Sequence, residues 1–326
     1  MAGADETRDG VSLTNLDQPL FSGAGVTKRD LVDYLDAARD RILPGLRGRP
    51  LSVVRALRGQ APFMQKNLPK YAPDWVRRTA VWAEASHREV SYALCDDRRT
   101  LLWFANQRSV EYHPTLTTVD DPHRPTHLVL DLDPPEGDSF ALVVAAAELV
   151  RQALADAGLT GAVKTSGAKG VHILVPVGAD VDAADSAAAT RALAARAARL
   201  DPALATTAFI REDRGGRVFV DSTRAGGATV VAAYSPRLRP GVPVSYPVDW
   251  ADLAQVTPAD LTIRTVPAST GPEDDPWAGR MPAPQRLPAD LVAEGHTIPV
   301  ARVQAMHEGK RRARARRAAE AATPDQ

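Results

Sequence analysis

His127-Leu-Val-Leu-Asp-Leu-Asp133, closed by Pro134 and Pro135, is the stretch that decides the reading of this chain. Its apolar run, bounded by prolines, predicts a buried strand. Side chains alternate across a strand, so Asp131 and Asp133 point to the same face. Two carboxylates so close repel, and one takes up a proton unless a cation stands between them. Leu128-Val-Leu130 leaves little water to help, and the prolines hold the end of the strand extended. Divalent Mg or Mn, which take oxygen ligands, fits such a pair. A hydrogen-bonded strand terminus is the plainer alternative.

Further along, Arg217-Val-Phe-Val-Asp221 predicts another strand, with a third carboxylate, Asp221, at its end. A lone Asp there also suits an ordinary turn. Three carboxylates from two strand ends suffice to hold two metal ions for phosphoryl transfer. Between these strands lies Thr165-Ser-Gly-Ala-Lys-Gly-Val-His172. Gly167 and Gly170 allow positive φ and close backbone approach. Backbone N–H groups in such a turn can form an anion nest. Ser166 adds a hydroxyl, Lys169 a point charge, and His172 faces away from Val171 and Ile173. Together Ser166, Lys169 and His172 read as a triphosphate grip. A histidine packed in the core is the alternative for His172.

Around this centre we expect helices at Phe140–Ala157, capped by Asp138 or Ser139, and at Asp185–Leu200, with further strands at Val163–Thr165, Val171–Val175 and Thr229–Ala233. Before it, a helix over Lys28–Arg41 opening at Thr27 and ending at Pro44, and strands at Leu51–Arg55, Val90–Leu94 and Leu101–Ala105, make a smaller lobe. Cys95, the sole cysteine, reads as a small half-buried strand residue and excludes an intramolecular disulfide. The fold class is therefore α+β. We expect a flexible N-terminus over 1–12, a catalytic domain over 13–278 (smaller α/β lobe about 13–110, core about 111–278), and a Pro-rich linker with a basic helical tail over 279–326.

Forty basic and forty acidic residues cancel, so overall charge does not argue for nucleic acid. Lys66, Lys70, Arg77 and Arg78 cluster, as do Arg302, Lys310, Arg311, Arg312, Arg314, Arg316 and Arg317. Each cluster is either a solvated face or a DNA contact. The polar N-terminus resembles no signal peptide, and no apolar run is long enough to span a bilayer. We expect a cytoplasmic, nucleoid-associated protein with no membrane partner.

Many short blocks stand in an order that resembles the polymerase domain of bacterial ligase D, within the archaeo-eukaryotic primase superfamily. They include Leu13-Thr-Asn15, Gly25-Val-Thr-Lys28, Phe63-Met-Gln-Lys66-Asn-Leu-Pro69, Glu111-Tyr-His113-Pro114, Leu130-Asp-Leu-Asp-Pro134, Lys164–His172, Val220-Asp221, Ala233-Tyr-Ser-Pro-Arg237 and Asp275-Pro-Trp277. The resemblance covers roughly 13–277. It implies a primase-type catalytic lobe with a smaller N-terminal lobe, and Asp131, Asp133 and Asp221 as ligands of two Mn or Mg ions. It implies that Ser166 and His172 hold the triphosphate of an NTP or dNTP, with His113, Lys66 and Arg237 nearby and Phe63 stacked on the base. Asn15 and Lys28 match a pocket for the 5′-phosphate of gapped DNA. Ribonucleotide preference follows from the same resemblance.

Three departures stand out. Gln18 replaces a usual lysine of the phosphate pocket, Met64 replaces a second aromatic, and Ser222–Gly227 is one residue shorter than usual and lacks an asparagine. We expect a stand-alone primase-polymerase that fills short gaps in primed DNA, in excision repair or in end joining with Ku and a separate ligase. The loss of charge at Gln18 favours excision repair. One rival is a non-catalytic DNA gap- or end-binding module. Another is a phosphatase of the haloacid dehalogenase type, which also bears an Asp-x-Asp strand. Pro135, two past Asp133, and the mid-chain position of the pair argue against the latter.

Overall fold

The computed structural model describes residues 6–83, 87–137, 140–226, 228–266 and 275–300. The chain opens with a hairpin, β1 (Glu6–Arg8) and β2 (Val11–Leu13). Asp9 and Gly10 both have positive φ, 48° and 73°, the geometry of a two-residue primed turn. Arg8, paired with Glu6 on its own strand, ties this hairpin to Asp33 and Asp36. The expected flexible N-terminus is therefore corrected over 6–12; an Asp-Gly pair between short alternating runs is a strong hairpin signal.

Helix α1 (Lys28–Ala37) starts in a capping box between Thr27 and Asp30. It breaks at Ala38, and α2 (Arg39–Leu46) continues with Pro44 inside it rather than after it. Strands β3 (Leu51–Arg55), β4 (Phe63–Gln65), β5 (Arg78–Ala83) and β6 (Arg88–Ala93) follow. Next comes α3 (Arg98–Asn106), where a strand was expected at Leu101–Ala105. Asp97 caps it by accepting from the Thr100 amide at 2.7 Å. Thr100 to Ala105 are all buried, and such a continuous apolar run does not separate helix from strand. Cys95, two residues beyond β6, is fully buried rather than half-buried. Strand β7 (Ser109–Pro114) pairs with β3 and completes a sheet ordered β4-β3-β6-β5.

The second lobe holds β8 (His127–Asp133), α4 (Phe140–Asp156), β9 (Ala162–Thr165), β10 (Val171–Pro176), α5 (Ala183–Leu200), β11 (Ala205–Thr206), β12 (Val218–Asp221) and β13 (Pro247–Val248). Its sheet runs β11-β12-β8-β10-β9-β13. Leu128, Leu130, Leu132, Val171, Ile173, Val218 and Val220 share a core with Ala146, Val150, Ala189 and Leu193 of α4 and α5. One face of the sheet is thereby sealed, and the other is left to the polar residues. Residues 229–233 make one isolated bridge, Thr115 to Thr229, instead of the expected strand. Ala232, Tyr234, Val242, Val244 and Ile263 return to the first lobe and pack in its core.

The expected linker over 279–326 is corrected for its described part. Gln285 bonds Pro176 and Thr160, and Trp277 Nε1 donates to Val163 O. Helix α6 (Ala289–Thr297) then docks on α5, with Glu294 bonded to Arg196 and Arg199. The basic run from Arg302 to Arg317 and the residues expected to cap α4, Asp138 and Ser139, lie outside the described residues. A Cβ on Gly295 would meet Ala188 O at 1.9 Å, so α5 and α6 touch backbone to backbone. Gly295→Ala should lower stability by about 1–3 kcal/mol in urea unfolding. An unchanged midpoint would contradict this docking.

Candidate active site

Strand pairing assembles the site before any side chain is considered. Asp131 on β8 lies opposite Asp221 on β12 and opposite His172 on β10. His172 in turn lies opposite Lys164 on β9. Directly paired residues share a face, so Asp221, Asp131, His172 and Lys164 form one polar row across four strands. All four are buried. Asp133, two residues along β8, faces the same way, beside Phe219.

The row is charge-coupled along its length. Arg224 places Nη2 2.9 Å and Nε 3.1 Å from Asp131 Oδ2, and Nε 3.6 Å from Asp221 Oδ2. His172 Nε2 lies 3.3 Å from Asp131 Oδ1. Burial works to raise the Asp131 pKa, but His172 and Arg224 outweigh it and hold the carboxyl well below the usual range. Asp133 has no such close partner. Burial, then repulsion from Asp131 and Asp221, push its pKa up to about 6. Lys164 Nζ stands 2.9 Å from His172 Nδ1 and 2.5 Å from Ser245 Oγ. With Nδ1 accepting from Lys164, the ring proton sits on Nε2, facing Asp131. Burial and Lys164 lower the His172 pKa to about 4, so the ring is neutral near neutral pH. Burial, helped by the nearby charge of Arg237, pushes Lys164 well below the ordinary lysine range.

These residues fit divalent cations by their chemistry. Three carboxylates converge, one of them is driven toward protonation, and a guanidinium already serves as counter-cation to two. Among the described residues no group of three acidic, histidine or cysteine side chains is already arranged as a metal cage. Asp131 is instead turned to Arg224 and His172.

The turn after β9 is built for close approach. Ser166 Oγ accepts from the Ala168 and Gly170 amides, both at 3.2 Å. Gly167 has φ 66°, and a Cβ there would meet Ser245 N at 2.7 Å. A Cβ on Gly170 would meet Leu132 O at 2.0 Å. Ser166 is buried and Lys169 exposed. Arg237 Nη1 donates to Ser166 O, which draws it to this turn. Glu111, on β7, holds both Arg237 and His113: its Oε2 lies 3.1 Å from Arg237 Nε and 2.8 Å from His113 Nε2. It also accepts from the Leu238 amide at 2.8 Å. Sequence reasoning assigned no role to Glu111, Lys164, Ser245 or Arg224. Only the alternation of Glu111 with His113 along β7 offered a signal.

The outer residues fall less neatly. Glu111, Val54 and Met64 are paired across β7, β3 and β4, so Met64 shares the face of His113. Phe63 pairs with Arg55 on the opposite face and is 39% exposed. Lys66 follows β4 and is exposed. Asn15 and Gln18 line a pocket of about 1170 Å³ together with Arg58 and Arg108. Gln18 Nε2 donates to Asn15 Oδ1, and Arg108 Nη2 donates to Gln18 Oε1. Lys28 does not line that pocket. It is buried, with Nζ 2.6 Å from both Thr14 O and Asn106 Oδ1, and burial lowers its pKa to about 8.

Comparison with known proteins follows the same outline. The family described as "LigD, primase-polymerase domain" matches residues 27–277. The chain is 36% identical over 266 residues to the multifunctional non-homologous end joining protein LigD of Mycobacterium bovis, covering 78% of this chain and 34% of that one. It is 33% identical over 261 residues to the bifunctional non-homologous end joining protein LigD of Bacillus subtilis, covering 78% of this chain and 42% of the relative. The chain thus spans well under half the length of these relatives. The polymerase domain of Mycobacterium tuberculosis ligase D, solved in complex with DNA, superposes with a TM-score of 0.76 at 32% identity, covering 83% of this chain and 99% of that domain.

Burial tends to raise the Glu111 pKa, but His113, Arg237 and the Leu238 amide bring it down from 4.5 to about 2. A depressed folded pKa means this carboxylate stabilises fully above about 4.5 and loses that contribution as pH falls toward 2. Glu111→Gln should therefore lose stability near neutral pH, by at most about 3 kcal/mol. The gap between variant and parent in urea unfolding should narrow as pH drops below 4.5. A gap independent of pH would contradict the clamp.

Proposed function

The chain belongs to the LigD primase-polymerase domain family, and from that footing we propose that it is a metal-dependent nucleotidyltransferase that extends a DNA primer across short gaps. The observation that carries the proposal is the buried row of Asp221, Asp131 and His172, with Asp133 beside it and the Ser166 turn at its end. In the reaction the primer 3′-hydroxyl oxygen bonds to the α-phosphorus of a nucleoside triphosphate, and the bond to pyrophosphate breaks.

Asp131, Asp133 and Asp221 would hold two Mn or Mg ions. Such ions, when bound, lower the pKa of the attacking hydroxyl and neutralise charge on the leaving group. The protein's own groups do the positioning. Ser166, Lys169 and His172 meet the triphosphate at the turn. Glu111 fixes Arg237 and His113 in place, and Arg237 reaches the Ser166 turn, so these side chains need little reordering when substrate arrives. Met64, on the face of His113, is the nearer candidate to touch the base or template, with Phe63 and Lys66 at the edge of the same strand. Preference for ribonucleotides stays part of this proposal.

DNA is the expected partner. The similar domain was solved with DNA, and the relatives are end-joining proteins. These names favour end joining with Ku and a ligase over the excision repair suggested by Gln18. The pocket at Asn15 and Gln18 suits a 5′-phosphate, with Arg108 and Arg58 as its cations and Lys28 holding its wall. No described helix is long and apolar enough to cross a membrane.

Primer extension on gapped DNA with Mn or Mg tests the reaction. Templated extension should fall at least about a thousandfold in Asp131→Asn and Asp221→Asn while gapped DNA is still bound. Extension at the parent rate in either variant would remove the assignment. Binding without extension in the parent would instead favour a gap-binding module. Gln18→Lys should tighten binding to 5′-phosphorylated gaps by about tenfold relative to unphosphorylated ones, which corresponds to about 1.4 kcal/mol. Equal binding to the two DNAs in that variant would rule out the pocket.

A further inference from the structure

We infer that Arg224 is an internal counter-cation that competes with the divalent ion for Asp131 and Asp221, and so sets how tightly the free protein binds metal. The inference rests on the proposed metal role of those carboxylates. Arg224 lies in a short 3-10 turn, Thr223–Gly226, immediately after the β12 carboxylate. Its guanidinium forks onto Asp131 Oδ2 with two nitrogens and reaches Asp221 Oδ2 with one. Asp131 and Asp221 are directly paired across β8 and β12, so one planar cation can serve both. A divalent ion held by these carboxylates would need the same oxygen lone pairs. Both cannot occupy that space.

The surroundings say which cation leaves. Asp221 Oδ1 is fixed by the Thr223 amide at 2.7 Å, and Asp131 Oδ1 is faced by His172. The carboxylates are thus pinned by the sheet and by the start of the turn. Arg224 is on a side chain 36% exposed, with an open route to solvent. The arginine can swing out, and the aspartates stay.

Mn binding to the full chain, without DNA or nucleotide, tests this by electron paramagnetic resonance of free Mn. Arg224→Gln should bind Mn at least about tenfold more tightly than the parent, equivalent to about 1.4 kcal/mol. Arg224→Lys, which keeps the charge but not the fork, should fall between the two. Without metal, Arg224→Gln should melt at a lower temperature than the parent, and saturating Mg should close that difference. A melt in saturating Mg shows that each variant is folded. In the parent, the Nε–H resonance of Arg224, identified by its loss in Arg224→Lys, should shift on addition of Mg. Equal Mn affinity in parent and Arg224→Gln, or an Arg224 resonance unmoved by saturating Mg, would overturn the competition while leaving the metal site standing. Absence of Mn binding in both proteins would overturn the metal site and the competition together.

Discussion

Three carboxylates on the inner face of one sheet cannot all be charged and dry without a cation, and much of this molecule is arranged around that constraint. Asp131, Asp133 and Asp221 project where Leu128, Leu130, Leu132 and Val220 commit the opposite face to helices α4 and α5. The apolar side fixes the register, since a slip of one residue would send the aspartates into the core. The acidic side then has to be neutralised. Arg224 serves two of the three, and Asp133 is left to be pushed toward protonation. A site in this condition is a receptor for positive charge.

The polar row continues sideways along the sheet. His172 and Lys164 extend the row, and burial keeps both from carrying their usual charge readily. Ser245 anchors Lys164 from the segment that also seals the first lobe. The turn after β9 depends on the same closeness. Gly170 has no room for a Cβ over Leu132 O, and Gly167 none beside Ser245. Glu111 holds Arg237, whose Nη1 donates to Ser166 O in the second lobe, so the cationic side of the site is held by a carboxylate from the smaller lobe.

The centre of this arrangement was legible in the sequence because it is local. Two aspartates two apart on a strand, a strand-ending Asp221, and a Ser-Gly-Ala-Lys-Gly turn before His172 each follow from alternation and turn chemistry. Arg224 was not legible as a partner of Asp131, since 93 residues separate them and only strand pairing joins β8 to β12. Glu111 and Leu238 are 127 residues apart, and only the return of the chain to the first lobe brings them together. The helix at Arg98–Asn106 was misread because Leu101 to Ala105 are apolar without a break, which erases the periodicity that separates helix from strand. The hairpin at Glu6–Leu13 was legible in its Asp-Gly pair and was missed. Lys28 matched a phosphate-binding pattern, yet its ammonium is spent inside the protein on Thr14 and Asn106. Sequence pattern gives a residue's type and neighbourhood, and only packing tells which way it is turned.

The most direct test of the central constraint is anomalous diffraction at the manganese edge from crystals soaked in Mn. The account predicts manganese density bounded by Asp131, Asp133 and Asp221, with the Arg224 guanidinium turned away from Asp131. Manganese bound elsewhere, with Arg224 still forked on Asp131, would contradict it.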